Sequence, residues 1–447
     1  MIIRSKRVVS DGRVAPADIV VAGERFAAVL PYGTAEGDVL DVGQLAVSPG
    51  VVDSHVHINE PGRTEWEGFA SATQAAAAGG ITTVVDMPLN CIPATVSRQA
   101  AEVKLAALQG QLQVDASFWG GVIPGNTGEL AGLRAFGCGG AKCFTCPSGV
   151  DEFPHVSRAD LDLALPLMRD LGLVLLVHAE APEPLEAAER DVANADVRDY
   201  ATYLRSRPDQ AELDAIAMVI DLCRQHQAAA HIVHLSSAQA LPMLAKAQAE
   251  GVRISAETCL HYLTFCAEDV PPGATCYKCA PPIRDRANRE ALWQGLRDGV
   301  LTLVVSDHSP CTPQLKRTEV GDFMAAWGGI AGLQLGLSAL WTQASARGFG
   351  LADLCRWNAE NTARLAGLDA RKGRIAAGFD ADFVIWDPEA EATIAGADLH
   401  HKHKLTPYDG LALRGVVHQT WVRGVCAWRR DGGFGLARGA FVPARGN

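Results

Sequence analysis

The sequence predicts an α/β protein: a (β/α)8 barrel joined to a small β-sandwich domain. Two observations in the middle of the chain and one at its ends predict this. Eight short β-branched or apolar runs recur at about 45–57, 81–87, 114–122, 140–144, 173–179, 231–236, 252–258 and 301–306. Ala- and Leu-rich stretches with helical spacing separate most of them, as in Ser71 to Ala78 and Ala211 to Gln225. Strands that alternate with helices form a parallel sheet, and eight such units close a barrel. The two ends instead show short alternating runs between turns.

At the N-terminal end, Ile19-Val20-Val21 and Phe26-Ala27-Ala28-Val29 read as strands, with turns at Ser10-Asp11-Gly12 and Ala22-Gly23. At the other end, Asp382-Phe383-Val384-Ile385-Trp386 and Gln419-Thr420-Trp421-Val422-Arg423 alternate between Gly378 and Gly424. Both ends are expected to build one small β domain from residues 1–50 and 371–447, around a barrel over 51–370. An open doubly wound sheet is the competing architecture. It needs no eight units, and no G-x-G-x-x-G follows a first strand here. No internal repeat or low-complexity segment is present.

The chain has 447 residues, a length that suits a large domain plus a smaller one. Its formal net charge is −11, and Lys and Arg form no long run, so no nucleic-acid partner is expected. No apolar stretch approaches the ~20 residues of a membrane span. The best candidate, 161–177, is interrupted by Arg169 and Asp170. Met1 to Arg7 lacks the apolar core of a secretory signal, and the 12 cysteines are scattered. Free thiols in a reducing cytoplasm are therefore expected. Cys143-Phe144-Thr145-Cys146 and Cys276-Tyr277-Lys278-Cys279 have metal-clip spacing, but no second pair completes either as a structural zinc site.

Six polar residues sit at the ends of the apolar runs: His55 and His57, Lys142, His178, His234 and Asp307. They belong to inferred strands one, four, five, six and eight. Active-site groups of a barrel gather at the C-terminal ends of its strands. His55 and His57 lie two apart on a strand, so both side chains share a face and can grip one metal ion. A lone histidine is ordinarily a satisfied core residue; four histidines and an aspartate in one positional pattern indicate a metal centre. Lys142 is the odd member, because an ammonium has no lone pair for a metal. Its neutral amine, however, can react with carbon dioxide to give a carbamate (N6-carboxylysine), whose two oxygens can bridge two divalent cations. Two metals ~3.5–4 Å apart can then share a hydroxide formed near neutral pH. Asp307 would bind one metal and carry the proton from the attacking group to the leaving nitrogen. The chemistry is hydrolytic. Zinc, iron, cobalt and manganese all suit such ligands, with zinc preferred here.

These motifs resemble the cyclic amidohydrolases: dihydroorotases, hydantoinases, dihydropyrimidinases and allantoinases. The resemblance runs from the N-terminal strands to Gly378-Phe379-Asp380-Ala381-Asp382-Phe383. The H-x-H pair, Lys142, His178, His234 and Asp307 match that family's binuclear pattern position by position. The resemblance implies a distorted (β/α)8 TIM barrel, two divalent metals, a carboxylated Lys142, hydrolysis of a cyclic amide, and a homotetramer. Dihydroorotases typically carry arginine where this chain has Asn59, so a neutral ring is expected rather than an anionic one. Met87-Pro88-Leu89-Asn90, Gly140-Ala141-Lys142-Cys143-Phe144, Lys278 to Arg284, Ser306 to Cys311 and Trp327-Gly328-Gly329-Ile330 resemble the allantoinases in particular. That implies opening of the hydantoin ring of (S)-allantoin to allantoate. By analogy Asn59, Asn90 and the backbone around Cys279 would hold the ring. Leu260 departs from the family's usual proline, and His400-His401-Lys402-His403 reads as structural and remote from the strand ends. Two other readings stay open. One is a hydantoinase or dihydropyrimidinase of broader range; the other is a non-catalytic oligomeric scaffold.

Overall fold

The first apolar run divides at Gly50 between two sheets. Ala46–Pro49 pairs with strands of the terminal sheet, whereas Val51–Val56 starts the barrel. A Cβ at position 50 would collide with the Thr82 side chain, so the crossing needs glycine. The computed structural model describes residues 1–445.

The remaining barrel strands are Ile81–Asp86, Asp115–Phe118, Gly140–Phe144, Val174–His178, Ala230–Ile232, Ile254–Cys259 and Leu303–Val305. Every neighbouring pair is parallel. The third strand breaks at Trp119 and resumes as Gly120–Gly121, which pairs with the fourth. The first and eighth strands meet at a parallel bridge between Val56 and His308, where the His57 N–H donates to the His308 carbonyl at 2.8 Å. The ring is thus complete, with a short seam at its last join. Most strand residues are buried, as expected for parallel strands covered on both faces.

Helices occupy the outside. Phe69–Ala78 and Asp209–His226 extend the two stretches read from the sequence by one or two residues at their ends. The run at 231–236 forms a strand only over Ala230–Ile232, because His234 turns into a left-handed conformation with φ 39°.

Strands from both chain ends share one nine-stranded sheet. It bends back on itself: the Phe26 N–H donates to the Phe379 carbonyl at 3.0 Å, and the Ala381 N–H to the Glu24 carbonyl at 2.8 Å. Ile3, Val8, Ile19, Phe26, Phe383 and Ile385 fill the layer between. A buried ion cluster ties this sheet to the barrel. Lys372 Nζ lies 2.5 Å from carboxylates of both Asp115 and Asp382, and 2.9 Å from Asp380.

The C-terminal segment does not stay in that sheet. The Ala116 N–H donates to the Ala440 carbonyl at 3.0 Å and the Val442 N–H to the Ala116 carbonyl at 2.8 Å, so the chain end runs along the third barrel strand. Among the described residues, no helix is long and apolar enough to cross a membrane.

Candidate metal centre

The barrel brings all six polar residues to one mouth, and all six are buried. His55 Nε2 lies 3.2 Å from Asp307 Oδ1 and 3.2 Å from Lys142 Nζ. His57 Nε2 lies 3.5 Å from the same Asp307 oxygen. On the other side, His178 Nδ1 faces His234 Nε2 at 3.0 Å. The His55 and His234 rings are 5.4 Å apart, so the two groups adjoin. His234 and Asp307 hold left-handed backbone conformations (φ 39° and 44°), as do Asn59 and Asn90 (φ 66° and 68°). Such conformations gather where a site over-determines its backbone.

Burial sets the protonation states. It pushes the imidazolium forms of His55, His57 and His234 well below the ordinary range, helped by the nearby Lys142 charge. His178 is lowered by burial too, against the pull of Glu180. Four neutral imidazoles each keep a lone pair. Burial lowers Lys142, opposed by Asp307, and raises Asp307, opposed by Lys142. Four neutral histidines beside an aspartate, with donor atoms of His55, His57 and Asp307 within 4.8 Å of one another, form a cluster able to hold a divalent cation. Among the described residues, His234 Nδ1 has no hydrogen-bond partner.

Acids that the sequence reading passed over orient these ligands. Glu257 Oε1 lies 2.6 Å from His55 Nδ1, and Oε2 lies 3.1 Å from His231 Nε2. Glu180 Oε2 lies 2.7 Å from His178 Nε2. Asp53 accepts from the His55 and Ser306 backbone N–H groups at 3.2 to 3.4 Å. Asp86 accepts from Ile58 N–H at 2.8 Å and pairs with Lys104 at 2.6 Å. Each of these acids lies in or just after an apolar barrel strand, a signal that was available in the sequence.

A cavity of about 640 Å³ opens over the cluster, reaching His57, Lys142, His178, His234 and Asp307, with Trp327 and Gly328 in its wall. Asn90 and Cys279 also line it. Asn90 Nδ2 lies 3.4 Å from His57 Nδ1, and its Oδ1 has no partner among the described residues. The Cys279 carbonyl accepts from the Tyr203 hydroxyl at 2.6 Å. Asn59 is different: it is buried outside the cavity lining, and its amide donates to the Pro310 carbonyl at 3.3 Å. The segment at 400–403 is not remote from the strand ends. The His401 ring lies 5.7 Å from that of His308, the residue after Asp307, and the Lys402 N–H donates to Glu67 at 3.1 Å. The C-terminal connection folds against the barrel's final join, which no local pattern announces.

A parallel eight-stranded barrel with neutral histidines and an aspartate converging at its mouth has the build of a metal-assisted hydrolase. Residues 46–426 match the amidohydrolase family, and the chain belongs to it. It is 47% identical to an allantoinase from Streptomyces avermitilis, over 95% of this chain and 94% of that protein. It is 41% identical to an allantoinase from Saccharomyces cerevisiae, over 93% and 95%. It is 49% identical to a mitochondrial allantoinase from Aquarana catesbeiana, over 82% and 76%. Among solved structures, an L-hydantoinase (dihydropyrimidinase) from Arthrobacter aurescens superposes with a TM-score of 0.92 at 29% identity, covering 99% of each chain.

Proposed function

We propose that this chain is an allantoinase, a metal-dependent hydrolase that opens the hydantoin ring of (S)-allantoin to give allantoate in purine and ureide catabolism. The observation that carries this is the convergence of six polar side chains at one barrel mouth, in a chain 40–49% identical to curated allantoinases along most of its length. In this reading His55, His57 and Asp307 hold one divalent ion, and His178 and His234 hold a second. Lys142 serves both after its neutral amine adds to carbon dioxide, forming a carbamate N–C bond and releasing one proton. The ions, taken as zinc with iron, cobalt or manganese as alternatives, supply acidified water and polarise the scissile carbonyl.

The chain's own groups do the rest. Asp307 takes the proton from the attacking water and passes it to the leaving ring nitrogen. Asn90 offers a free amide oxygen to a ring N–H. The backbone around Cys279 closes the opposite wall. Asn59, where a dihydroorotase carries arginine, leaves no cation for a carboxylated ring and acts through the loop it braces. The enzyme is read as a cytoplasmic homotetramer, with residues 1–50 and 371–447 supplying its small domain, apart from the chain end that runs along the third barrel strand.

One further reading has a specific observation in its favour: the hydantoinase structures superpose almost throughout. A substrate panel decides between the two. Allantoin is expected to give the highest kcat/KM among allantoin, dihydrouracil, dihydroorotate and 5-substituted hydantoins. A higher value for dihydrouracil or a 5-substituted hydantoin would replace the present reading with a hydantoinase of broader range.

A further inference from the structure

We propose that Glu180 and Arg207 form a positioning pair that fixes the ring tautomer of His178, turning Nδ1 toward His234 as a ligand for the second metal ion. The inference rests on the two-ion reading above. A neutral imidazole has one N–H and one lone pair, so whichever nitrogen donates a hydrogen bond is lost as a ligand. Glu180 Oε2 lies 2.7 Å from His178 Nε2. An ionised carboxylate only accepts, so Nε2 carries the proton and the lone pair stays on Nδ1, 3.0 Å from His234 Nε2.

For this to hold, Glu180 must remain ionised and still. It is fully buried, and Arg207 grips it with two prongs: Nε at 3.1 Å from Oε1, and Nη2 bonded to Oε2. Thr145 secures the adjacent backbone, donating its hydroxyl to the Glu180 carbonyl at 2.9 Å and accepting from the Glu180 N–H at 3.1 Å. Phe144 stacks on the His178 ring, with centroids 4.3 Å apart and planes 14° from parallel. The ring is therefore held on a face and on one edge. Cys146 also lies within 4.8 Å of the His178–Glu180 donors.

The first ion's histidine makes the opposite choice. Glu257 bonds His55 Nδ1 at 2.6 Å, which leaves Nε2 facing Asp307 and Lys142. Two buried glutamates thus select opposite ring nitrogens on two strands. Among the described residues His234 has no such partner on Nδ1, so the second ion depends on His178 for its preset geometry.

The test titrates metal-free protein with zinc against a competing chelator, in bicarbonate buffer, and resolves the two equivalents. Outer-shell partners of this kind contribute about 10- to 100-fold in affinity. Glu180→Leu is expected to weaken the second equivalent by that factor and leave the first unchanged. Glu180→Gln, which keeps an acceptor oxygen, should recover part of the loss. Should Glu180→Leu not fold, Arg207→Met loosens the carboxylate without removing it and is expected to weaken the same equivalent. Equal weakening of both equivalents, or a second equivalent bound as tightly as in the parent, overturns the positioning role. A parent protein that takes up a single equivalent overturns the two-ion reading instead.

Discussion

Asp307→Asn separates binding from proton transfer at this site. Asn suits the probe for two structural reasons. Asp307 holds φ 44°, a left-handed conformation that Asn tolerates and that would strain Ala. The amide also matches the carboxyl in size at the wall of the cavity, so little packing cost arises. What changes is the oxygen 3.2 Å from His55 Nε2 and 3.5 Å from His57 Nε2, which can no longer take a proton. Positioned acid–base groups contribute about 10²- to 10⁴-fold. At about 1.4 kcal/mol per decade, the barrier should rise by roughly 3–5 kcal/mol. The assay follows allantoate release at saturating metal, with metal content and thermal midpoint measured on the same preparation. Turnover should fall by two to four decades while the midpoint stays close to that of the parent. A turnover close to that of the parent at full metal content would remove Asp307 from proton transfer.

Lys142→Ala is expected to prevent dinuclear loading and abolish activity; elemental analysis showing two ions with normal turnover would remove the carbamate. Lys372→Met leaves the buried carboxylates of Asp115, Asp380 and Asp382 without their shared cation and should cost about 3–5 kcal/mol in denaturant unfolding. Gly50→Val forces a side chain against Thr82 and should lower stability by about 1–3 kcal/mol or more, read as a lower thermal midpoint. Arg207 and His178 hold the Glu180 carboxyl down to about 2 against the desolvation of burial, from an ordinary 4.5. Its contribution to metal-free stability is therefore present above pH 4.5 and lost as pH falls toward 2. The stability gap between the parent and Glu180→Gln should close over that window, and a gap that persists at its acid end would contradict it.

The legible part of the site was the part carried by local pattern. His55, Lys142, His178 and Asp307 could be read because each lies in or near an apolar strand, where a polar residue needs a reason. Glu257 and Asp53 lie in the same kind of run and went unread, because an acid there declares no partner until the barrel closes. Glu257 meets His55 across 202 residues of chain. Asn59 is a different case: its place in a motif suggested a ring contact, whereas in the fold its amide donates to the Pro310 carbonyl and it does not line the cavity.

By itself, the sequence determined the alternation of strands and helices, the sheet character of both ends, and the residues that reach the barrel mouth. Side-chain periodicity and apolar runs are local properties of the backbone, so they survive without knowledge of the fold. Only the tertiary structure decided which ring nitrogen each histidine presents, that the chain changes sheets at Gly50, and that the C-terminal segments return to the barrel. Those outcomes depend on hydrogen bonds between groups far apart in sequence. Buried donors and acceptors must find partners wherever closure places them, and that placement is not written in any single stretch of the chain.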